Sequence, residues 1–260
     1  MKIGYVQNAP LFGEKDQNLE AVDSLLSGVN AGLIVLPELF ATGYNFVSVE
    51  EVAGLSEDAG GETARFLCRK SLETGAVIVA GFVERDGDCY YNASMMVNAG
   101  AVVGIYRKLH LFNREKLFFT PGDYPLTVYQ VNGCRIGMMI CFDWIFPEVG
   151  RALALKGAQV IAHPSNLVLP YCQQAMTTRC IENRIFAVTA NRVGVENRGG
   201  DEFRYTGRSQ ITSCRGEVLS SAPEDTSFVD FREVDPELAD NKMINPCNNV
   251  LADRRPGFYA

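Results

Sequence analysis

Histidine is scarce in this sequence, which contains only His110 and His163 among its 260 residues. The eight cysteines form no Cys-x-x-Cys pair and no tight cluster. Zinc is usually held by closely spaced cysteines and histidines, so the sequence predicts no metal site. We therefore expect a protein that works without a metal or another cofactor.

Basic runs and long apolar runs are also missing. The net charge is −7 and no basic stretch is interleaved with aromatic residues, so nucleic acid is not an expected partner. No apolar stretch reaches the roughly 18 residues of a membrane helix, so no membrane association is expected. Met1 to Gln7 predicts a strand and not a secretory signal. The pattern favours a cytoplasmic protein with reduced, mostly buried thiols.

Short apolar strands alternate with helices along the whole chain. Turn signals at Gly87-Asp88 and Asn132-Gly133 predict hairpins. Hairpins combined with helical crossovers favour an α/β fold of mixed sheets covered by helices, in one domain of residues 1–260. The polar, glycine-containing segment 195–205 predicts a loop that can serve as a lid. Predicted helices span 16–27, 63–72, 147–156 and 171–183, and predicted strands span 2–7, 33–36, 76–83, 89–97, 127–131, 135–140, 160–162, 187–193, 209–212, 217–219 and 228–231.

Three apolar segments each end in a side chain that can carry chemistry. Leu-Ile-Val-Leu-Pro leads to Glu38, Val-Val-Gly-Ile-Tyr-Arg leads to Lys108, and Arg-Ile-Gly-Met-Met-Ile leads to Cys141. Each of these residues alone is more often a rim, surface or core residue. Together they predict one site to which three apolar strands deliver a carboxylate, an amine and a thiol. Because the turn after Cys141 leads into a helix, we also expect its thiolate to be favoured.

A glutamate, lysine and cysteine set suits acyl transfer from amides or attack on nitriles. The thiol attacks an electrophilic carbon, while the carboxylate takes its proton and later returns it to the leaving amine. The ammonium stabilises the oxyanion, together with a backbone N–H beside the nucleophile. Water activated by the carboxylate then hydrolyses the covalent intermediate. None of these steps requires a metal.

The three motifs, in this order, resemble the signature of the nitrilase superfamily of carbon–nitrogen hydrolases. Leu-Pro-Glu38-Leu-Phe matches the family's general base, Tyr-Arg-Lys108-Leu-His its lysine, and Ile-Cys141-Phe-Asp-Trp its nucleophile. The resemblance maps a second glutamate, which orients the lysine, to Glu115. It implies a single-domain, four-layer αββα sandwich with two mixed β-sheets. It covers essentially the whole chain, and small aliphatic nitrilases of archaeal type are the most similar in appearance.

The same resemblance implies further residues and partners. The N–H of Phe142 would complete the oxyanion hole with Lys108, and both histidines would be structural. A homodimer or larger assembly is implied, with the helix faces at 146–156 and 171–183 and the tail from about 232 as candidate interfaces. The pocket would be lined by Tyr44, Phe119, Trp144 and Asn166.

Several functions stay open at this stage. The first is hydrolysis of a small amide to a carboxylic acid and ammonia through a cysteine thioester. A nitrilase acting on a small aliphatic nitrile and an N-carbamoyl-amine amidohydrolase use the same triad, and only the pocket separates them. An inactive family member serving as an interaction module would have a broken triad. A papain-type hydrolase would need His110 or His163 as its base, which would leave Glu38 unexplained.

Overall fold

Two six-stranded mixed sheets form the centre of the computed structural model, which describes residues 1–259. The first sheet has the order β14-β1-β2-β3-β4-β5 and the second the order β13-β12-β9-β8-β7-β6. The first contains β1 Lys2–Gln7, β2 Leu33–Val35, β3 Val77–Asp86, β4 Cys89–Asn98, β5 Ala101–Arg107 and β14 Phe228–Glu233. The second contains β6 Val128–Val131, β7 Cys134–Met138, β8 Val160–Pro164, β9 Phe186–Ala190, β12 Gln210–Thr212 and β13 Val218–Ser221.

Each sheet has a parallel centre and antiparallel edges. β1, β2 and β3 run parallel in the first sheet, as do β7, β8 and β9 in the second. Parallel neighbours need a crossover, and helices provide it here. The crossover helices are α1 Lys15–Leu25, α3 Glu62–Thr74, α5 Pro147–Leu155 and α6 Cys172–Asn183, with α2 Val49–Leu55 preceding α3.

Alternation along the strands produces the layers. In β2, Leu33 and Val35 belong to the core between the two sheets, whereas Ile34 belongs to the core shared with the helices of the first sheet. Successive side chains of a strand point to opposite faces, so a strand buried on both faces is apolar throughout. Helices α5 and α6 pack together and cover the second sheet. The predicted αββα sandwich is therefore confirmed.

The predicted loop at 195–205 is wrong. This segment is an antiparallel ribbon of β10 Val195–Arg198 and β11 Asp201–Arg204, with a turn at Gly199-Gly200. Polar composition concealed the strands because the ribbon lies outside both sheets and buries few of its side chains. The ribbon is fixed by Glu196, whose carboxylate accepts the backbone N–H groups of Tyr44 and Asn45.

The remaining elements are short, and apart from the turn after Cys141 the sequence analysis did not predict them. Across residues 1–259, no helix combines the length and the apolar character needed to cross a bilayer. The short elements are α4 Glu115–Phe118, the ribbon of β15 Met243–Asn245 and β16 Asn248–Asn249, and the 3-10 turns Cys141–Ile145, Pro236–Ala239 and Pro256–Phe258.

Candidate active site

Glu38 follows β2 by three residues and is fully buried. Its backbone approaches β3 closely, because a Cβ on Gly81 would lie only 2.5 Å from the Glu38 Cα. Glycine is required there to admit the neighbouring chain. Glu38 Oε1 is 2.7 Å from Lys108 Nζ and accepts a 2.7 Å hydrogen bond from Asn92. Its second oxygen, Oε2, is buried without a hydrogen-bond donor among residues 1–259.

Lys108 lies directly after β5 and is buried beside two carboxylates. Its Nζ is 2.7 Å from an oxygen of Glu38 and 2.7 Å from Oε1 of Glu115. Burial alone would lower the pKa of Lys108, but the carboxylates of Glu115 and Glu38 raise it above its usual range. The two carboxylates therefore favour the ammonium form, and one of its three N–H donors remains free of these contacts.

Glu115 begins the short helix α4 and contacts the lysine. It accepts a hydrogen bond of 2.5 Å from the Tyr44 hydroxyl and one of 3.0 Å from the Phe112 N–H. Burial raises the pKa of Glu115, the Lys108 ammonium lowers it, and the Glu38 carboxylate raises it again. Asn92, on β4, contacts Glu38 and lies 3.4 Å from Glu115. The sequence analysis missed Asn92 because a polar residue within a strand carries no signal of a distant partner.

Cys141 begins a 3-10 turn at the end of β7 and has a left-handed φ of 39°. A non-glycine residue in this region stores strain of roughly 1–3 kcal/mol. The carbonyl of Cys141 is 3.0 Å from Nε2 of His163, a buried residue on β8. The next backbone N–H, that of Phe142, has no hydrogen-bond acceptor within the described part of the chain. The turn therefore presents a thiol and a free amide donor side by side.

The surroundings of Cys141 oppose the thiolate expected from the sequence, because they raise the pKa of the thiol. Burial raises the pKa of Cys141 well above its usual value, and the Glu38 carboxylate raises it further. The Lys108 ammonium lowers it and Glu115 raises it, which means that the charges of both predicted partners act on the sulfur. A five-residue 3-10 turn is too weak a dipole to offset burial among carboxylates. The attack therefore depends on a base.

A small apolar cavity adjoins the thiol. It has about 230 Å³ of empty space, its open mouth included, and no charged side chain lines it. Trp144 and Asn166 line it, and Asn166 is buried with both side-chain polar atoms unpartnered within residues 1–259. Tyr44 and Phe119 line a second cavity around Glu115. The residues around the thiol cavity are Phe112, Cys141, Phe142, Trp144, Asn166, Leu167, Val168 and Leu169.

Both histidines hold the scaffold. His163 contacts the Cys141 carbonyl and the Thr189 hydroxyl, and burial lowers its pKa to about 4. Nδ1 of His110 is 2.7 Å from Asp143, and its ring stacks on Phe146 with the centroids 3.7 Å apart. Neither imidazole forms a hydrogen bond with the sulfur of Cys141. This arrangement does not support the papain-type alternative.

Metal ligands are not assembled in this structure. Among residues 1–259, no group of three or more histidine, cysteine, aspartate or glutamate side chains is arranged to hold a metal ion. The groups that the site does bring together are a thiol, two carboxylates, an ammonium and backbone amides.

Comparison with known proteins agrees with this geometry. The model of the carbon–nitrogen hydrolase family matches residues 2–241. A nitrilase of Pyrococcus abyssi is 47% identical over 100% of this chain and 99% of its own length. An (R)-stereoselective amidase of a Pseudomonas species is 34% identical over 98% of this chain and 92% of its own.

Solved structures show the same fold. A carbon–nitrogen hydrolase of Helicobacter pylori superposes with a TM-score of 0.91 at 26% identity, covering 100% of this chain and 97% of that one. An amidase of Nesterenkonia gives a TM-score of 0.80 at 25% identity, covering 99% and 95%. A glutamate-to-glutamine mutant of that amidase carries a Michael adduct of acrylamide at its active-site cysteine. The chain therefore belongs to the nitrilase superfamily and is a carbon–nitrogen hydrolase.

Proposed function

We propose that this enzyme hydrolyses a small, uncharged amide to a carboxylic acid and ammonia through a thioester on Cys141. The observation that carries the proposal is the unpartnered Oε2 of Glu38, a buried acceptor at a site whose surroundings raise the pKa of the Cys141 thiol. A buried carboxylate oxygen without a donor is costly, and sites of catalysis tolerate such groups because substrate or transferred protons use them.

Acylation begins with proton transfer from Cys141 to Oε2 of Glu38 as the sulfur attacks the amide carbon. The S–C bond forms, the C–O π bond breaks, and the carbonyl oxygen becomes an oxyanion. When the tetrahedral intermediate collapses, Glu38 returns the proton to the nitrogen and ammonia leaves. A positioned general base of this kind contributes about 10²–10⁴-fold to the rate.

The oxyanion is stabilised by the free N–H of Phe142 and by the remaining N–H of Lys108. Glu115 holds the ammonium in place through its 2.7 Å contact, and the Tyr44 hydroxyl fixes Glu115 in turn. Donors that are oriented beforehand in a buried site need little reorganisation as negative charge develops. Glu115 and Tyr44 are thus positioning residues in this scheme.

Deacylation uses the same carboxylate. Glu38 takes a proton from water, the hydroxyl oxygen attacks the thioester carbon, and a second tetrahedral intermediate forms. Its collapse breaks the S–C bond, the proton returns to the sulfur of Cys141, and the carboxylic acid is released. Each cycle consumes one water molecule and restores the neutral thiol.

The cavity supports a short aliphatic acyl group. Its empty space of about 230 Å³ includes the open mouth, so the enclosed part beside the thiol is smaller than that volume and favours a small acyl group. The walls formed by Trp144, Leu167 and Val168 are apolar, so they would desolvate a charged tail without a partner. This argues against a cationic N-carbamoyl amine such as the substrate named for the plant N-carbamoylputrescine amidases, which are 28–29% identical to this chain.

A nitrile is the second candidate substrate, because the nitrilase of Pyrococcus abyssi is 47% identical over the full length of this chain. Ammonia release should be measured for propionamide and butyramide, each run beside its matching nitrile. A higher kcat/KM for the amides supports the proposal, and activity on the nitriles alone would replace it with the nitrilase function.

Cys141→Ala and Cys141→Ser should both lack turnover while keeping the circular dichroism spectrum, and residual wild-type activity in Cys141→Ala would remove Cys141 from the mechanism.

We also propose that the enzyme is a cytoplasmic homodimer or larger homo-oligomer. Large apolar side chains are exposed on α5 and α6, including Leu155 at 49% and Ile181 at 48%, and in the tail, including Phe258 at 75%. Such a surface favours self-association. Light scattering should give at least twice the chain mass, and Ile181→Asp should reduce it if α6 lies in the interface.

The eight unpaired cysteines support a reducing compartment, which fractionation of the source cells would test.

A further inference from the structure

Asp143 holds together the two segments that carry the oxyanion donors. It is fully buried, and its carboxylate accepts four hydrogen bonds. Oδ2 receives the Tyr106 hydroxyl at 2.7 Å and the Ile140 N–H at 2.9 Å. Oδ1 receives the His110 ring Nδ1 at 2.7 Å and the His110 N–H at 3.2 Å. Two carboxylate oxygens have about four acceptor positions, so the group is fully used.

The four donors belong to two separate parts of the chain. Tyr106 and His110 lie two residues before and two residues after Lys108, whereas Ile140 directly precedes Cys141. One carboxylate therefore ties the lysine segment to the nucleophile turn. Lys108 Nζ and the Phe142 N–H, the two proposed oxyanion donors, belong to the two segments that the Asp143 carboxylate connects. The distance between these donors therefore depends on its hydrogen bonds.

Hydrogen bonds hold the strained backbone of Cys141 on both sides, and one of them is accepted by Asp143. The Ile140 N–H before it is held by Asp143, and the Cys141 carbonyl is held by His163. A residue at φ 39° persists only when its surroundings determine its conformation. Burial and the adjacent Asp143 charge raise the pKa of Tyr106 well above its usual value, so its hydroxyl remains a donor.

We propose that Asp143 is a positioning residue that sets the geometry of the oxyanion hole, without itself touching the substrate. This inference rests on the proposed function, because it assumes that Lys108 and Phe142 bind the oxyanion. Asp143→Asn replaces one acceptor oxygen by an NH₂ group that faces two donors. The two hydrogen bonds to that oxygen are therefore lost. Loss of one oxyanion donor typically lowers kcat by about 10²–10³-fold, and we expect Asp143→Asn to fall in that range with KM changed less than about threefold.

An aliphatic aldehyde separates positioning from general damage. The Cys141 sulfur adds to the carbonyl carbon of butyraldehyde, and the thiol proton passes to Glu38. The carbon becomes tetrahedral, and its oxygen lies in the oxyanion hole. Methyl methanethiosulfonate reacts with the same thiol by displacement of methanesulfinate, which leaves a methyl disulfide on Cys141 and needs no oxyanion hole. For Asp143→Asn we expect aldehyde inhibition to weaken about 100-fold and thiol labelling to change less than about threefold. Equal losses in both assays, or no change in either, would overturn the inference.

Milder variants keep the test informative if Asp143→Asn does not fold. Tyr106→Phe removes one of the four donors and should reduce kcat and aldehyde affinity together by about tenfold. Tyr5→Phe is the matched control, because Tyr5 is another buried tyrosine of the inter-sheet core whose hydroxyl is 2.8 Å from Ser220 Oγ, away from the site. Tyr5→Phe should leave both quantities unchanged, and an equal effect of the two variants would contradict the inference. If butyraldehyde fails to inhibit the wild-type enzyme, the proposed oxyanion hole itself is wrong.

Discussion

Asn92 donates a 2.7 Å hydrogen bond to the same oxygen of Glu38 that Lys108 contacts, which leaves the other oxygen without a partner. Two donors on Oε1 fix the orientation of the carboxyl group. In Glu38→Gln they would hold the amide oxygen at this position and direct the NH₂ group to where Oε2 stands. We therefore expect Glu38→Gln to have two separate effects, one on turnover and one on the pKa of Cys141.

Glu38→Gln should lower turnover and also lower the pKa of Cys141. Turnover should fall about 10²–10⁴-fold, because an amide accepts no proton from the thiol. The thiol pKa should fall because one of the charges that raises it disappears while the Lys108 ammonium remains. The measurements are ammonia release and the pH dependence of Cys141 labelling by methyl methanethiosulfonate. The exposed Glu148→Gln is the control, and a labelling profile that shifts to higher pH in Glu38→Gln would refute the argument.

Asn166→Leu should stabilise the protein and weaken catalysis. Both polar atoms of this buried side chain lack partners in the described chain, so leucine removes a desolvation penalty and should add about 1 kcal/mol to the free energy of unfolding. If Asn166 binds substrate, kcat/KM should fall about tenfold, mainly through KM. Urea denaturation and steady-state kinetics test the two effects.

Asn191→Leu provides the contrast for that prediction. Asn191 is equally buried, but its side chain bonds the Leu167 N–H, the Thr206 hydroxyl and the Gly207 carbonyl. Leucine there leaves these groups unpaired and should destabilise the fold by about 2 kcal/mol or more. Destabilisation of the same size in Asn166→Leu would mean that Asn166 has structural partners.

His163 should make the fold less stable in mild acid. Its pKa is lowered from 6.5 to about 4 by burial, so below pH 6.5 the unfolded chain takes up a proton that the folded chain does not. Stability is therefore present above pH 6.5 and is lost as pH falls towards 4. The loss at pH 5 is about 2 kcal/mol relative to pH 7. Urea denaturation at both pH values should show this difference, and His163→Asn should remove most of it; an unchanged difference would exclude His163 as its source.

Glu196→Gln should be strongly destabilising. The carboxylate pairs with Arg192, and both side chains are almost fully buried, at 5% and 2% exposure. Neutralising one member leaves a buried guanidinium without its counter-charge, which costs about 3–5 kcal/mol. The exposed pair Arg208–Glu224 is the control, because Glu224→Gln should change stability by less than about 1 kcal/mol. Similar midpoints of urea denaturation for the two variants would contradict the prediction.

The amino-acid sequence determined the layered fold and the residues at the three strand exits. The fully apolar run of β2, the helical crossovers between strands and the apolar runs before Glu38, Lys108 and Cys141 are local patterns, and local patterns report which segments are buried. The sequence analysis did not predict the ribbon at 195–204, because its two strands pair without burying an apolar face.

Only the tertiary structure decided the protonation of the thiol and the partners of each charge. The sequence places Cys141 before a helix, which favours a thiolate, but burial beside two carboxylates outweighs that dipole. The roles argued for Asn92 and Asp143 depend on distances between strands that are far apart along the chain. Electrostatic free energies vary with separation and burial, and neither quantity is encoded in the spacing of residues along a sequence.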